Sequence, residues 1–148
     1  MKYKYAYEMG DILAERAVER LEESEIFKGK DDAYLLPIPI HKRRRKVRGF
    51  NQTELIGKLI AKKMRWQYRD DILEKIRFTV PQTGLERRVR LRNQRNSFSV
   101  IGLKETDKNK MIFLFDDICT TGATIKEAAK ELKRKGLKNV WGLSVAKT

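Results

Sequence analysis

The densest group of chemically capable residues lies between positions 113 and 124, where the chain reads FLFDDICTTGAT. Two adjacent carboxylates, Asp116 and Asp117, close an apolar run, and Thr120, Thr121, Gly122, Ala123 and Thr124 follow. Hydroxyls and backbone amides in such a turn can cradle one phosphate group, and a glycine there permits a positive φ or a close backbone approach. Neighbouring carboxylates accept hydrogen bonds from vicinal hydroxyls, so the group as a whole suits a ribose 5-phosphate. Successive strand residues point to opposite faces, so both aspartates reach one sugar only if the chain leaves the strand here, which the turn allows. An isolated Asp-Asp is more often a turn or a cap. What favours a ligand is the strand, turn, helix setting. The turn contains no lysine, and the chain has neither a Walker-type phosphate loop nor a dinucleotide-binding glycine fingerprint.

Two basic stretches are the next candidates. Residues 42–48 (KRRRKVR) are basic at six of seven positions, and Arg77, Arg87, Arg88, Arg90, Arg92 and Arg95 form a second series. Either could hold a polyphosphate, bind nucleic acid or simply face solvent. His41, the sole histidine, stands as a structural hydrogen-bonding group or a ligand contact. Cys119, the sole cysteine, lies in the phosphate turn with no histidine base in sequence, which favours packing over nucleophilic work. One cysteine and one histidine exclude a disulfide framework and a zinc site built from several such ligands.

The chain that must position these groups has 148 residues, 41% hydrophobic and 36% charged, enough for one cored domain spanning 1–148. Its formal net charge of +14 is unevenly spread: −3 over residues 1–33, +13 over 42–95 and +4 over 96–148. That field attracts phosphorylated partners, polynucleotide or small metabolite alike. No apolar run approaches the roughly 18 residues of a membrane span, and MKYKYAYEMG lacks the apolar region of a signal peptide. The expectation is a cytoplasmic protein without a membrane partner.

Ile12, Leu13, Ala17, Val18 and Leu21 predict an amphipathic helix over 10–27, within an N-terminal helical segment 1–32. Tyr3, Tyr5, Tyr7, Trp66 and Trp141 read as core or strand residues. AYLLPIPI at 33–40 predicts a strand that leaves its ladder at Pro37 and Pro39, and 41–49 a loop ending at Gly49. Asn51 and Glu54 have N-cap and N3 spacing ahead of the helical pattern Leu55, Ile56, Leu59, Ile60, Met64. Residues 71–78 read as a strand and 79–96 as a long mobile loop. Met111–Phe115 is unbroken and apolar, as in a strand covered on both faces. Thr124 and Glu127 have capping-box spacing for a helix that ends at Gly136, and Val140–Ala146 supplies a closing strand. Alternating helices and strands predict an α/β class: a single open, mostly parallel sheet flanked by helices, with a Rossmann-like core.

The 113–124 segment resembles the phosphoribosyl-pyrophosphate (PRPP) motif of type I phosphoribosyltransferases: four hydrophobic residues, two acidic ones, then a Thr/Gly-rich phosphate loop. PIPIHKRRRKVRGFNQ at 37–52 and PQTGLERRVRLRNQRNSF at 81–98 resemble the other two signature stretches of the competence-associated ComF family. The resemblance implies that Asp116 and Asp117 bind the ribose hydroxyls and Thr120–Thr124 the 5-phosphate. It puts His41, Arg44, Arg48 and Gly49 at the pyrophosphate, Asn51 and Gln52 in the RGFNQ signature, and Gln82, Leu85, Arg88, Arg90 and Asn93 in a flexible catalytic loop. Asp116, Asp117 and Arg90 become the catalytic candidates. Mg²⁺ is expected to arrive with PRPP, held by substrate oxygens and water, with no direct protein ligand beyond water-mediated contact to the two aspartates. The implied activity is phosphoribosyl transfer to a nitrogenous acceptor with release of pyrophosphate. A non-catalytic PRPP sensor or single-stranded DNA-binding competence protein is the alternative. Members of this family typically carry a four-cysteine zinc ribbon ahead of the transferase domain, and this chain, with its single cysteine, is expected to lack it. Many relatives form homodimers, for which the Tyr-rich start or first helix is the candidate surface. The candidates for recognising the acceptor are the 10–27 helix and the mobile loop.

Overall fold

A computed structural model describes residues 2–48, 51–77, 86, 88–89, 92 and 95–148. The elements are α1 (Lys2–Glu23), β1 (Ala33–Pro37), α2 (Lys42–Arg48), α3 (Gln52–Met64), β2 (Gln67–Tyr68), β3 (Leu73–Lys75), β4 (Phe98–Val100), a 3₁₀ turn (Glu105–Asp107), β5 (Met111–Cys119), α4 (Ala123–Arg134) and β6 (Asn139–Lys147). Four strands form a parallel sheet in the order β2-β1-β5-β6, and β3 pairs with β4 in a separate antiparallel ribbon. The fold is therefore the expected α/β class, a mostly parallel sheet flanked by helices.

Strand alternation divides the core into two layers. Leu35, Phe113 and Phe115 point to the face covered by α1 and α3, where they meet Ala14, Val18, Ile56, Ile60 and Trp66. Trp66 stacks on Phe113 with ring centroids 4.2 Å apart. Leu36, Ile112 and Leu114 point the other way, onto Ala128 and Leu132 of α4 and onto Ile72, Leu73 and Phe98 around the ribbon. β5 is buried on both faces, which is why its sequence is apolar without alternation.

Several elements depart from the sequence reading. Helix α1 begins at Lys2, not near residue 10, and ends at Glu23, ahead of residue 27. Tyr5 and Tyr7 lie on it and are exposed, so their alternation marks neither strand nor core. Residues 42–48 form a helix where a loop was expected. Lys and Arg are good helix formers, and no Gly or Pro interrupts them. Strand β3 covers only Leu73–Lys75 of the expected 71–78, of which Phe78 lies outside the described residues. β5 runs four residues past Phe115 because β6 continues to pair with it, through Asp116↔Ser144, Ile118↔Ala146 and Cys119↔Lys147. Trp141 is on a strand, but at the exposed edge of the sheet. Among the described residues no helix is long and apolar enough to cross a membrane.

Candidate functional site

The geometry of the sheet picks out one crevice. From β1 the chain crosses through α3 to β2 on one side, and from β5 through α4 to β6 on the other, so the strand order reverses between β1 and β5. The two crossing helices cover opposite faces. In open α/β sheets ligands bind outside the carboxyl ends of the strands at this switch point. Past the end of β1 the chain runs through Ile38, Pro39 and Ile40 to His41 and α2, and the last residues of β5 include Asp116 and Asp117.

β1 ends in register with Phe115, so Asp116 and Asp117 project beyond it into the crevice, flanked on their other side by β6. Contrary to the expectation that the chain leaves the strand here, both aspartates are strand residues and lean toward opposite faces. Asp117 turns to α3, where its Oδ1 accepts from the Thr53 hydroxyl at 3.1 Å and from the Ile118 amide at 3.0 Å. Asp116 turns to the ribbon side and is half-buried. Burial, then hydrogen bonding to Asp117 and that carboxylate's charge, push its carboxyl up to about 7, while Lys75 of β3 opposes the shift.

Beyond β5, Thr120 is exposed and Thr121 half-buried, the Thr121 hydroxyl accepting from the Ala123 amide at 3.3 Å. Gly122 caps α4 in the left-handed region with φ 74°, a conformation that favours glycine. There is room for a side chain at this position, with the nearest atom to an added Cβ 3.8 Å away, so the backbone conformation sets the requirement. Helix α4 thus begins at Ala123, its N-cap Gly122 having no side chain to offer and the Thr121 hydroxyl taking the first amide, and Thr124 falls in its first turn. The expected Thr124–Glu127 box does not form, because the N-cap is Gly122 and Thr124 already lies inside the helix; Glu127 accepts from the Asn96 amide at 2.9 Å. Gly136 does close the helix with φ 100°, as its position predicted. The amino end of α4 and two threonines therefore adjoin the aspartates, an arrangement that favours an anion.

On the β1 side, His41 caps α2: its Nδ1 accepts from the Arg43 amide at 3.3 Å. Arg44 and Arg48 are α2 residues. Lys42 pairs with Glu74 of β3 at 3.4 Å and Arg45 with Glu54 of α3 at 3.2 Å, so two members of the basic run tie α2 to its neighbours. Beside α2 lies a cleft of about 220 Å³ whose lining includes Pro39, Lys42, Arg45, Glu54, Glu74 and Lys75. Asn51 caps α3 as expected, its Oδ1 accepting from the Thr53 amide at 3.1 Å, whereas Glu54 serves Arg45. Gln52 is exposed in the first turn of that helix. Gly49, Gln82, Leu85, Arg90 and Asn93 lie outside the described residues, and Arg88 is exposed. The ribbon closes the base of the 79–96 segment, with the Ile76 amide donating to the Ser97 carbonyl at 2.8 Å.

Sequence reasoning missed Thr53 and Lys75. Both meet the aspartates only through the fold, Thr53 from 64 positions away. No local pattern marks either one. The Asn51 cap was the nearest available signal, since it fixes the backbone of Thr53.

The fold is an α/β domain with a parallel sheet that carries a Thr/Gly turn and an acidic pair at its switch point, consistent with a Rossmann-like, phosphoribosyltransferase-type core. No family model matches the sequence. The chain is 31% identical over 114 residues to competence protein F of Haemophilus influenzae, covering 76% of this chain and 50% of that protein. It is 31% identical over 106 residues to DNA utilization protein YhgH of Shigella flexneri, covering 72% and 45%. The protein of that name from Salmonella typhi gives the same figures. The chain spans about half the length of the curated relatives it matches. These similarities support a family relationship to the competence proteins.

Proposed function

We propose that the crevice between β1 and β5 binds PRPP with Mg²⁺ and that the domain transfers the phosphoribosyl group to a nitrogenous acceptor, releasing pyrophosphate. The observation that carries this reading is the convergence of two arms on one switch point: the acidic pair and Thr/Gly turn after β5, and the His41-capped basic helix after β1. Although Asp116 and Asp117 lean to opposite faces, Asp116 hydrogen-bonds to Asp117, so the two carboxyls meet at the strand end and accept from vicinal hydroxyls of one ribose. The hydroxyls of Thr120 and Thr121 and the first amides of α4 hold the 5-phosphate. Arg44 and Arg48 offset the charge that grows on the pyrophosphate as its bond to ribose C1 breaks, and Arg90 is the further candidate for that work. Little acid–base chemistry is required of the protein.

The donor set fits Mg²⁺ in the form this reading requires. Asp116 and Asp117 offer hard oxygens beside the Thr/Gly turn, the donor type that suits this ion. With PRPP bound, Mg²⁺ would neutralise pyrophosphate charge, held by substrate oxygens and by water to these two aspartates.

Calorimetric titration of PRPP, with and without Mg²⁺, tests the site. The expected result is Mg²⁺-dependent micromolar binding, about 8 kcal/mol, that disappears in the double variant Asp116→Asn, Asp117→Asn while the fold is retained. Undiminished binding by the double variant would falsify the assignment.

A second reading is favoured by a different observation: the names of the relatives attach them to competence and to DNA utilization. In it the same pocket senses PRPP without turnover, and the basic surface around α2 binds single-stranded DNA. PRPP binding without pyrophosphate release against a panel of nitrogenous acceptors separates this reading from the first.

A further inference from the structure

Thr53 is one of the few polar residues buried in the described structure, 6% exposed at the second position of α3. Its backbone amide donates to Asn51 Oδ1 at 3.1 Å, and its hydroxyl donates to Asp117 Oδ1 at 3.1 Å. A continuous chain therefore runs from the cap of α3 to the second aspartate of β5. The Ile118 amide donates to the same Asp117 oxygen at 3.0 Å. Two donors from two elements thus fix one carboxylate oxygen, and neither helical nor strand geometry by itself requires the bond from Thr53. Packing holds the donor in place as well: Gly57, one turn further along α3, lies against Leu35 of β1 and Phe115 of β5, where an added Cβ would come within 3.1 and 3.2 Å of their side chains.

We propose that Thr53 is a positioning residue for ribose recognition: its hydroxyl holds the Asp117 side chain in one rotamer, committing Oδ1 to the protein and aiming the rest of the carboxylate at a ribose hydroxyl. This rests on the PRPP reading above and extends it to a residue outside the acidic pair and the phosphate turn. Asn51 then has a functional consequence through Thr53, since its cap fixes the backbone from which the hydroxyl reaches. Valine at position 53 keeps the branched shape and removes the donor. Serine keeps the donor and removes only a methyl group.

The test compares the parent, Thr53→Val and Thr53→Ser in two measurements. Calorimetry with PRPP, ribose 5-phosphate and pyrophosphate reads the ligand side. Thr53→Val is expected to bind PRPP and ribose 5-phosphate roughly ten- to a hundredfold more weakly, the range for a hydrogen bond to a charged group, with pyrophosphate affinity unchanged. Thr53→Ser is expected to restore parent affinity to within a few-fold. NMR couplings about the Asp117 Cα–Cβ bond read the side chain in the ligand-free protein: a single rotamer in the parent and Thr53→Ser, and averaging in Thr53→Val. A single Asp117 rotamer retained in Thr53→Val overturns the proposal, as does an equal loss of pyrophosphate binding or a failure of serine to rescue. If the parent does not bind PRPP, the ribose reading falls, and with it this role of Thr53. The couplings then still show whether the hydroxyl fixes Asp117.

Discussion

At the scale of single residues, Asp116 and Asp117 occupy adjacent positions in different environments. Asp117 is held by the Thr53 hydroxyl, while Asp116 is half-buried with a carboxyl raised to about 7 by burial and by its neighbour. An unfolded chain releases that proton near 3.8, so between 3.8 and about 7 the folded state holds a proton that the unfolded state has lost. Stability contributed by this group therefore falls as pH rises through that window, and the cost is complete above 7. Asparagine at 116 carries no charge to desolvate. Asp116→Asn should unfold at a higher temperature than the parent at pH 8, by on the order of 2 kcal/mol, and the advantage should shrink toward pH 4. Thermal unfolding at several pH values reads this directly. An equal shift at pH 8 and pH 4 would show that the carboxyl does not titrate as its surroundings dictate. The same substitution is expected to weaken PRPP binding, so the residue trades stability for function, as strained sites do.

At the scale of elements, legibility follows the range of the interactions that form each one. β5 and α4 were readable because local pattern suffices: an apolar run buried on both faces, then helical spacing closed by Gly136. The Asn51 cap was readable for the same reason. The continuation of β5 through Cys119 was not, because it depends on pairing with β6, whose partners lie 28 positions on. The basic helix α2 was hidden because six charges in seven residues leave no apolar period to detect, and its ties to Glu54 and Glu74 come from other elements. The ribbon was half hidden, since three-residue strands carry little pattern. That ribbon is nonetheless a fixed structural element. The Ile101 amide donates to the Ile72 carbonyl at 2.9 Å, and a Cβ placed at Gly102 would lie 2.2 Å from the backbone oxygen of Asp71. Backbone cannot yield as a flexible side chain can, so Gly102→Ala should cost about 2–3 kcal/mol in chemical denaturation. A loss below about 0.5 kcal/mol would mean that the chain around Asp71 is not held where the ribbon places it.

At the scale of the whole molecule, the charge distribution joins the two functional readings at one surface. Residues 42–95 carry a net +13, and α2, the first helix after β1, exposes Arg43 and Lys46. A polynucleotide drawn to this field would meet the helix assigned here to pyrophosphate, so DNA and PRPP are expected to compete. Single-stranded binding that neutralises about five phosphates should follow salt with a log–log slope near −3.5, a loss of about a hundredfold between 50 and 200 mM. Fluorescence anisotropy with a labelled oligonucleotide measures that slope. Arg43→Glu combined with Lys46→Glu should flatten it, and PRPP with Mg²⁺ should displace the oligonucleotide at low salt. DNA binding that persists in saturating PRPP would place the polynucleotide on a different face and separate the two activities. If no binding is detected at 50 mM, the field serves the small anion alone, because a surface this basic retains a polynucleotide at low salt whenever its charges are arranged along the strand.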